Sequence, residues 1–317
     1  AVGAFLLDDF VATVLGYVVS MAVGLVLVAW FLRRQQALRF DIRPEFEFRE
    51  WFVFSVPMLA IAVTQFLTNW TDILMLGAFV SAQEIGWYQA SYQTSVLLLV
   101  VLQSANSIFP SIASGLYDQG EYERLESTYI AVTKWIVYLT TLGGAFLLIY
   151  RSEILRLFGE TAPEAEMALA ILAVGQFTAA GVGATGYLLS MSGYERVESV
   201  NTLTVVVLNV VLNYVLIQQY GIVGAGAATA ISLGLLNLVR LAEVRWFLGI
   251  QPYHRTYWRG GVAAGVGIGV LLIGRFLQLF PLAKAFVAGA CGLLGFLSSM
   301  YLLGVDEYDR LLIESLD

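Results

Sequence analysis

The chain has 317 residues, of which 59% are apolar and only 13% are charged, and its mean hydropathy is +0.77. This composition excludes a water-soluble globular domain, because so few charges cannot cover that much apolar surface. The formal net charge is −7, and 15 Arg accompany only two Lys. An acidic, Lys-poor composition favours a haloarchaeal source, although GC-rich coding produces the same Arg bias.

Long apolar stretches separate short charged intervals, and each approaches or exceeds the ~20 residues that cross a bilayer core. We therefore predict an all-α integral membrane protein with about nine transmembrane helices. The predicted spans are 10–32, 51–73, 85–109, 129–150, 166–191, 199–217, 222–247, 259–280 and 283–304.

The distribution of Lys and Arg predicts the orientation, since basic residues are enriched on the cytoplasmic side. If the interval 33–50 is cytoplasmic, thirteen of the 17 basic residues lie inside, and four lie outside: Arg151, Arg156, Arg275 and Lys284. The prediction is a multi-pass protein of the cell membrane with its N-terminus outside and its C-terminus in the cytoplasm. Because an odd number of spans with an external start is typical of a truncated chain, we expect further helices upstream.

Single copies of two residue types limit the possible chemistry. Cys291 is the only cysteine and His254 the only histidine. Disulfides, thiolate metal sites and His-based catalytic triads are therefore excluded. We expect no catalytic residue, no metal, no cofactor and no nucleic-acid partner.

Two charged intervals join spans, and two Gly-rich stretches stand at the starts of spans. The interval 33–50 holds five Arg, four carboxylates and Pro44, which favours a partly interfacial loop over a hinge between two bundles. The interval 114–127 is predicted to join two spans through a turn at Gly120. The stretch 221–226 and the series Gly261, Gly265 and Gly269 are interpreted as close helix contacts, not phosphate loops, because small residues let helices approach.

Polar residues recur on one helical face in three spans. The series are Gln65, Thr68, Asn69 and Asp72; Tyr88, Tyr92, Ser95, Gln103 and Asn106; and Thr202, Asn209 and Asn213. Such a stripe either makes interhelical hydrogen bonds, worth roughly 0.6 kcal/mol each, or lines a hydrated pathway. The first interpretation is favoured for Asn209 and Asn213. The second is favoured for the stripe ending at Asp72, although Asp72 lies near the outer boundary and could simply be hydrated.

Lys134 is predicted to lie at the cytoplasmic end of a span. Snorkelling of its side chain to the interface is favoured over contact with an anionic head group. The full set of candidate substrate-pathway residues is Gln65, Asn69, Asp72, Tyr88, Tyr92, Gln103, Asn106, Lys134, Asn209 and Asn213.

Several motifs resemble those of a known transporter family. The segments are FSVP at 54–57, TDILMLG at 71–77, EIGWYQA at 84–90, FP at 109–110, YDQGE at 117–121, and NVVLNYVLI at 209–217 followed by YGIVGAGAAT at 220–229. In this order they resemble the polysaccharide-transporter (Wzx-like) branch of the multidrug/oligosaccharidyl-lipid/polysaccharide exporter superfamily. Gln218 departs from the pattern, since Pro is usual at that position.

The resemblance implies a domain plan with two six-helix bundles and an added helix pair. It assigns 1–32 to the last helix of a first bundle, 33–50 to a cytoplasmic linker, 51–247 to a complete second bundle, 248–258 to a cytoplasmic loop, 259–304 to two extra C-terminal helices and 305–317 to a cytoplasmic tail. The implied partners are a polyprenyl-linked glycan, membrane lipids and the missing N-terminal bundle of the same protein.

The implied activity is the flipping of lipid-linked oligosaccharide or polysaccharide repeat units across the cytoplasmic membrane by alternating access. Two alternatives stay open at this point. A multidrug or cation antiporter of the same superfamily would require several carboxylates buried in mid-span. A non-transporting membrane enzyme or assembly subunit of glycan biosynthesis would, if catalytic, require a loop longer than the intervals between these spans.

Overall fold

The computed structural model describes residues 10–34, 70–159 and 162–304, together with positions 52, 55, 59 and 308. Every regular element in these ranges is helical, and seven helices are long and apolar enough to cross a membrane. The predicted all-α membrane class is confirmed. The chain divides into two compact units, with the boundary between Val63 and Thr64.

The described part of the first unit contains one long helix, α1, which spans Phe10–Arg34 and agrees with the predicted span 10–32. Arg33 and Arg34 occupy its last turn, where cations interact favourably with the helix dipole. The Arg34 guanidinium lies 5.4 Å from the centre of the Trp30 ring, within the range of a cation–π interaction. The rest of the predicted linker 33–50 falls outside the described residues.

Eleven α-helices make up the described part of the second unit. They are α2 (Trp70–Phe79), α3 (Ala82–Val96), α4 (Val100–Asn106), α5 (Phe109–Asp118), α6 (Tyr122–Ile149), α7 (Arg151–Leu155), α8 (Pro163–Val182), α9 (Thr185–Met191), α10 (Glu195–Leu248), α11 (Trp258–Gly274) and α12 (Pro281–Leu303). Short 3-10 turns occupy Leu97–Leu99, Arg156–Phe158 and Arg255–Tyr257.

The helix boundaries refine the predicted spans. The predicted span 51–73 lies largely outside the described residues, so the count of nine remains a prediction. The predicted span 85–109 is not one helix but α3, a 3-10 turn and α4. Between α5 and α6, the predicted interval 114–127 shortens to a tight turn over residues 119–121, in which Gly120 has φ +74°. The turn is short because polar residues continue both flanking helices beyond their apolar parts.

The predicted continuous span 166–191 is wrong, because the helix breaks between α8 and α9. Gly183 adopts φ +66°, and a Cβ there would collide with the Thr133 side chain, so glycine is required. The break frees carbonyl groups that lipid could not satisfy. Two tyrosines satisfy them: Tyr129 donates to Val182 O at 2.6 Å and Tyr253 donates to Gly181 O at 3.1 Å.

Helix α10 is a hairpin of two antiparallel arms that reverse direction at Gly221, whose φ of 54° and ψ of −133° are not helical. Cross-arm hydrogen bonds set the register: Asn201 donates to Glu243 at 2.5 Å and Asn209 donates to Thr229 at 3.5 Å. The predicted spans 199–217 and 222–247 correspond to the two arms.

Small residues allow α8 to pack centrally against α3, α6 and α10. A Cβ at Gly175 would lie 2.7 Å from the Ala230 Cα atom, and one at Gly226 would lie 3.4 Å from the Ala168 carbonyl oxygen. The predicted close approach in the stretch 221–226 is therefore confirmed. This packing places polar side chains of α8 directly beside both arms of the hairpin.

The prediction that Gly261, Gly265 and Gly269 form a close helix contact is wrong, because the contact lies on a different face of α11. A Cβ at Gly261, Gly265 or Gly269 would meet no described atom within 4 Å. The contacting glycines are instead Gly260, Gly267 and Gly274, which repeat every seven residues. Ala264 and Leu271 are buried on the same face, so the contact has the seven-residue repeat of a coiled coil. A seven-residue repeat stays on one face of a helix, whereas a four-residue repeat gradually rotates away from it.

We expect Gly267→Val to destabilise the α11–α12 pair and Gly265→Val to leave it nearly unchanged. A Cβ at Gly267 would lie 2.7 Å from Leu142 Cδ1 and 3.0 Å from the Gly292 carbonyl oxygen. Overpacking of this kind costs about 1–3 kcal/mol. Thermal unfolding of the two variants in detergent would test the seam, and equal midpoints would contradict it.

Candidate functional site

A sharp corner between α2 and α3 brings the first two site residues together. Ser81 caps α3: its hydroxyl accepts from the Glu84 amide at 3.3 Å, while the Glu84 carboxylate accepts from the Ser81 amide at 2.9 Å. This reciprocal capping box fixes where α3 begins. The Tyr88 hydroxyl donates to Asp72 Oδ2 at 2.6 Å, so the two helices run antiparallel beside each other.

The hairpin α10 supplies the other ligands of the Asp72 carboxylate. From the first arm, Asn213 Nδ2 donates to Asp72 Oδ1 at 2.7 Å and to Asn209 Oδ1 at 3.0 Å. From the second arm, the Thr229 hydroxyl donates to Asp72 Oδ2 at 2.5 Å. Asp72 thus ties α2, α3 and both arms into one network, which we call the Asp72 cluster: Asp72, Tyr88, Asn209, Asn213 and Thr229.

Burial makes the Asp72 cluster energetically important. Tyr88 is 1% exposed and Asn213 is fully buried, whereas Asp72 is half-buried. Hydrogen bonds to a charged group contribute more than neutral ones, about 1.5–3 kcal/mol each. The cluster presents only oxygen atoms and amide groups, a chemistry suited to hydroxyl-bearing ligands and to hard cations. Within the described ranges no group of three or more His, Cys, Asp or Glu could hold a metal ion.

A cavity of about 400 Å³ adjoins the Asp72 cluster. We call it the first cavity. Its polar lining comes from α2, α3, α4, α8 and both arms of α10, namely Thr71, Asp72, Tyr92, Gln103, Gln176, Thr202, Asn209, Thr229 and Ser232. Leucine and valine side chains fill the remaining wall. Polar groups placed in a largely apolar wall are the arrangement expected of a binding site between the helices of a membrane bundle.

The structure gathers most of the predicted site residues in one place. Asp72, Tyr92, Gln103 and Asn209 line the first cavity, and Tyr88 and Asn213 belong to the Asp72 cluster beside it. Asn213 makes the interhelical hydrogen bonds that the favoured interpretation of the sixth-span stripe expects. Asn209 also faces the first cavity, and a hydrated pathway there remains a prediction. Gln65 and Asn69 lie outside the described residues.

Asn106 and Lys134 are placed elsewhere. Asn106 lines a separate cavity one turn further along the chain. Lys134 lies near the middle of the 28-residue helix α6, because that helix begins at Tyr122, well before the predicted start. Its side chain is 1% exposed and makes interactions inside the bundle. The favoured interpretation of Lys134 as a snorkelling residue is therefore wrong.

Sequence reasoning missed several polar residues of the site. Thr229 and Ser232 lie among small residues in the second arm of α10, and Gln176 is a lone amide in an apolar helix, so none of the three belongs to a predicted polar stripe. Glu198 and Arg240 form an ion pair between the two arms, in which Arg240 Nε donates to Glu198 Oε2 at 2.9 Å and Nη2 donates to Oε1. They are 42 residues apart in sequence, so only the reversal at Gly221 could have revealed the pair.

Comparison with known proteins identifies one matching family and two relatives of similar sequence. Residues 1–116 match the family of polysaccharide biosynthesis proteins. Over 277 residues the chain is 26% identical to a Haloferax volcanii protein named "probable low-salt glycan biosynthesis flippase Agl15", covering 84% of this chain and 56% of that protein. Over 191 residues it is 24% identical to the "probable flippase AglR" of the same organism, covering 54% of this chain and 37% of that protein.

The predicted resemblance to polysaccharide transporters is confirmed. Both relatives come from a haloarchaeon, in agreement with the acidic, Lys-poor composition. They are named flippases and not enzymes. The chain spans about half the length of the first of these relatives and less of the second.

Proposed function

We propose that this chain forms part of a flippase that translocates lipid-linked oligosaccharide or polysaccharide repeat units across the cytoplasmic membrane. The transport serves the synthesis of surface polysaccharide or glycoprotein. Alternating access moves the polar head group through the protein while the polyprenyl tail remains in lipid. The proposed partners are the polyprenyl-linked glycan and membrane lipids, and no nucleic acid.

One observation carries this proposal: nine polar side chains converge on the first cavity inside an otherwise apolar helical bundle. Its lining combines a tyrosine, amides and hydroxyls with a single carboxylate, and these groups suit sugar hydroxyls, which both donate and accept hydrogen bonds. The names of the relatives support the same substrate class. So many polar side chains around one cavity are not expected of a packing defect, because polar groups in a bilayer are costly and mark functional pathways.

The proposed topology and domain plan follow the sequence. The N-terminus of this chain lies outside and its C-terminus lies in the cytoplasm, as the distribution of Lys and Arg predicts. The segment 51–247 forms a six-helix bundle whose counterpart, an N-terminal bundle of the same protein, supplies the opposite wall of the pathway. The partial coverage of the longer relatives supports this division.

The alternatives of a multidrug or cation antiporter and of a membrane enzyme or assembly subunit are not favoured. The relatives are named flippases. Among the residues lining the first cavity, Asp72 is the only carboxylate.

We expect Gln103→Leu to reduce transport roughly three- to tenfold, the effect of one lost hydrogen bond to the substrate. The variant would be introduced into the complete reading frame in a strain whose own gene is deleted. The measurements are the amount of glycan on the cell surface and the amount of lipid-linked glycan retained on the cytoplasmic face.

Gln218→Leu is the matched control, since Gln218 is an exposed amide that bonds only to the Tyr214 carbonyl of its own helix. It should transport like the unmodified protein. Normal surface glycosylation in the deletion strain itself would refute a flippase, and equal activity of the two variants would remove the first cavity from the pathway.

A further inference from the structure

A second cavity of about 320 Å³ lies at the break between α8 and α9. Its volume is at the lower end of the roughly 300–1,000 Å³ found for small-molecule sites. Six polar side chains line it: Asn106, Tyr187, Ser190, Glu198, Asn237 and Arg240. A cavity this polar within a membrane bundle points to a polar occupant.

The charges in the second cavity are balanced. The Arg240 guanidinium makes a bidentate contact with the Glu198 carboxylate, and the two side chains are only 20% and 14% exposed. Thr202 also donates to Glu198 Oε1 at 3.1 Å. An entering phosphate would meet the Glu198 carboxylate beside the guanidinium, so the paired charges favour a neutral ligand over an anion.

Two polar groups in the second cavity are left for a ligand. Asn106 Oδ1 is buried and has no hydrogen-bond partner among the described residues. Arg240 uses Nε and Nη2 for Glu198 and Thr202, which leaves the N–H groups of Nη1 for another acceptor. A hydroxyl group donates one hydrogen bond and accepts another, so it can satisfy both sites at once.

The backbone of α9 shapes this cavity around the ion pair. A Cβ at Gly186 would lie 3.2 Å from Arg240 Cζ and 3.3 Å from Glu198 Oε1. The second cavity is separate from the first but lies beside it, because α4 contributes Gln103 to the first and Asn106 to the second. The two chambers therefore follow one another along the same helices.

We infer that the second cavity binds a neutral sugar residue, with a ring hydroxyl placed between Asn106 Oδ1 and Arg240 Nη1. The inference rests on the proposed function for the source of that sugar, a residue of the translocated glycan. The Glu198–Arg240 pair orients the site and discriminates against phosphate groups.

A cysteine-protection experiment on the purified chain in nanodiscs tests this site. The single native cysteine is removed as Cys291→Ala, and Ser190→Cys places a thiol in the exposed rim of the second cavity. The rate of modification by a small uncharged methanethiosulfonate is then measured with methyl α-D-glucopyranoside, methyl α-D-mannopyranoside or inorganic pyrophosphate. At least one glycoside should slow the reaction, and pyrophosphate should not.

Asn106→Leu should weaken protection roughly three- to tenfold, as expected for one lost hydrogen bond. Gln218→Leu, the replacement of an exposed amide that lines neither cavity, should leave protection unchanged. Stronger protection by pyrophosphate, or no protection by either glycoside in a monodisperse sample, would overturn the inference. Because this readout needs no transport, its failure and a failure of the proposed flippase activity are distinguishable.

Discussion

Asp72→Ala is expected to lower the free energy of unfolding of the second unit by about 1–3 kcal/mol, the cost of leaving buried hydrogen-bond donors without an acceptor. The substitution leaves the Tyr88 hydroxyl, the Asn213 amide and the Thr229 hydroxyl without their shared acceptor. Tyr88 and Asn213 are almost completely buried, so water cannot replace the carboxylate at little cost. The loss should separate α2 and α3 from the two arms of α10.

Asp72→Asn and Asp118→Asn complete the test. Asp72→Asn retains one carbonyl acceptor but turns an amide donor toward other donors, so it should fall between the alanine variant and the unmodified protein. Asp118 is exposed at the end of α5, and its replacement should change stability by less than about 0.5 kcal/mol. Unfolding in mixed detergent micelles would measure all three. An alanine variant as stable as Asp118→Asn would show that the carboxylate does not hold these helices together.

Glu198→Gln is expected to cost about 3 kcal/mol, because it leaves the Arg240 guanidinium in the bundle without its counter-charge. This value is at the lower end of the range for a buried pair, since the two side chains are still 20% and 14% exposed to solvent. The double variant Glu198→Gln, Arg240→Gln should recover much of the loss, because two amides can bond to each other.

Glu121→Gln provides the matched comparison. Glu121 also pairs with an arginine, Arg124 at 2.6 Å, but that pair is 37% and 66% exposed. Exposed pairs contribute only about 0–1 kcal/mol, so this change should be nearly silent. A double-mutant cycle on each pair would measure the coupling energies, and similar values for the two would contradict the special role of Glu198 and Arg240.

Much of the helical architecture could be predicted from hydropathy because the bilayer imposes it. Apolar stretches predicted α1, α12 and the arms of α10 to within a few residues, whereas α11 ends at Gly274, six residues before the end of the predicted span 259–280, and polar turns lengthen α6. The start of α6 at Tyr122 is such a case, and the misplacement of Lys134 follows directly from it. Hydropathy measures which residues tolerate lipid, whereas helices continue wherever backbone hydrogen bonds allow.

The candidate site was predicted only as separate stripes. Helical spacing correctly grouped Tyr88 with Tyr92 and Asn209 with Asn213, because residues three and four apart share a face. It could not show that Asp72 bonds to Thr229, 157 residues away in the chain. The break at Gly183 was hidden for a related reason: its neighbours are apolar, and the partners that cap the freed carbonyls, Tyr129 and Tyr253, come from distant segments.

The reversal of α10 at Gly221 has a mechanical consequence. The chain turns back through a single residue, and cross-arm hydrogen bonds from Asn201 to Glu243 and from Asn209 to Thr229 hold the arms together, so we expect the two arms to tilt as one body. Glu198 and Asn213 lie on the same arm, 15 residues or roughly 22 Å apart along the helix axis. A displacement at the ion pair therefore reaches the Asp72 carboxylate near the other end of the arm without any flexible joint between them.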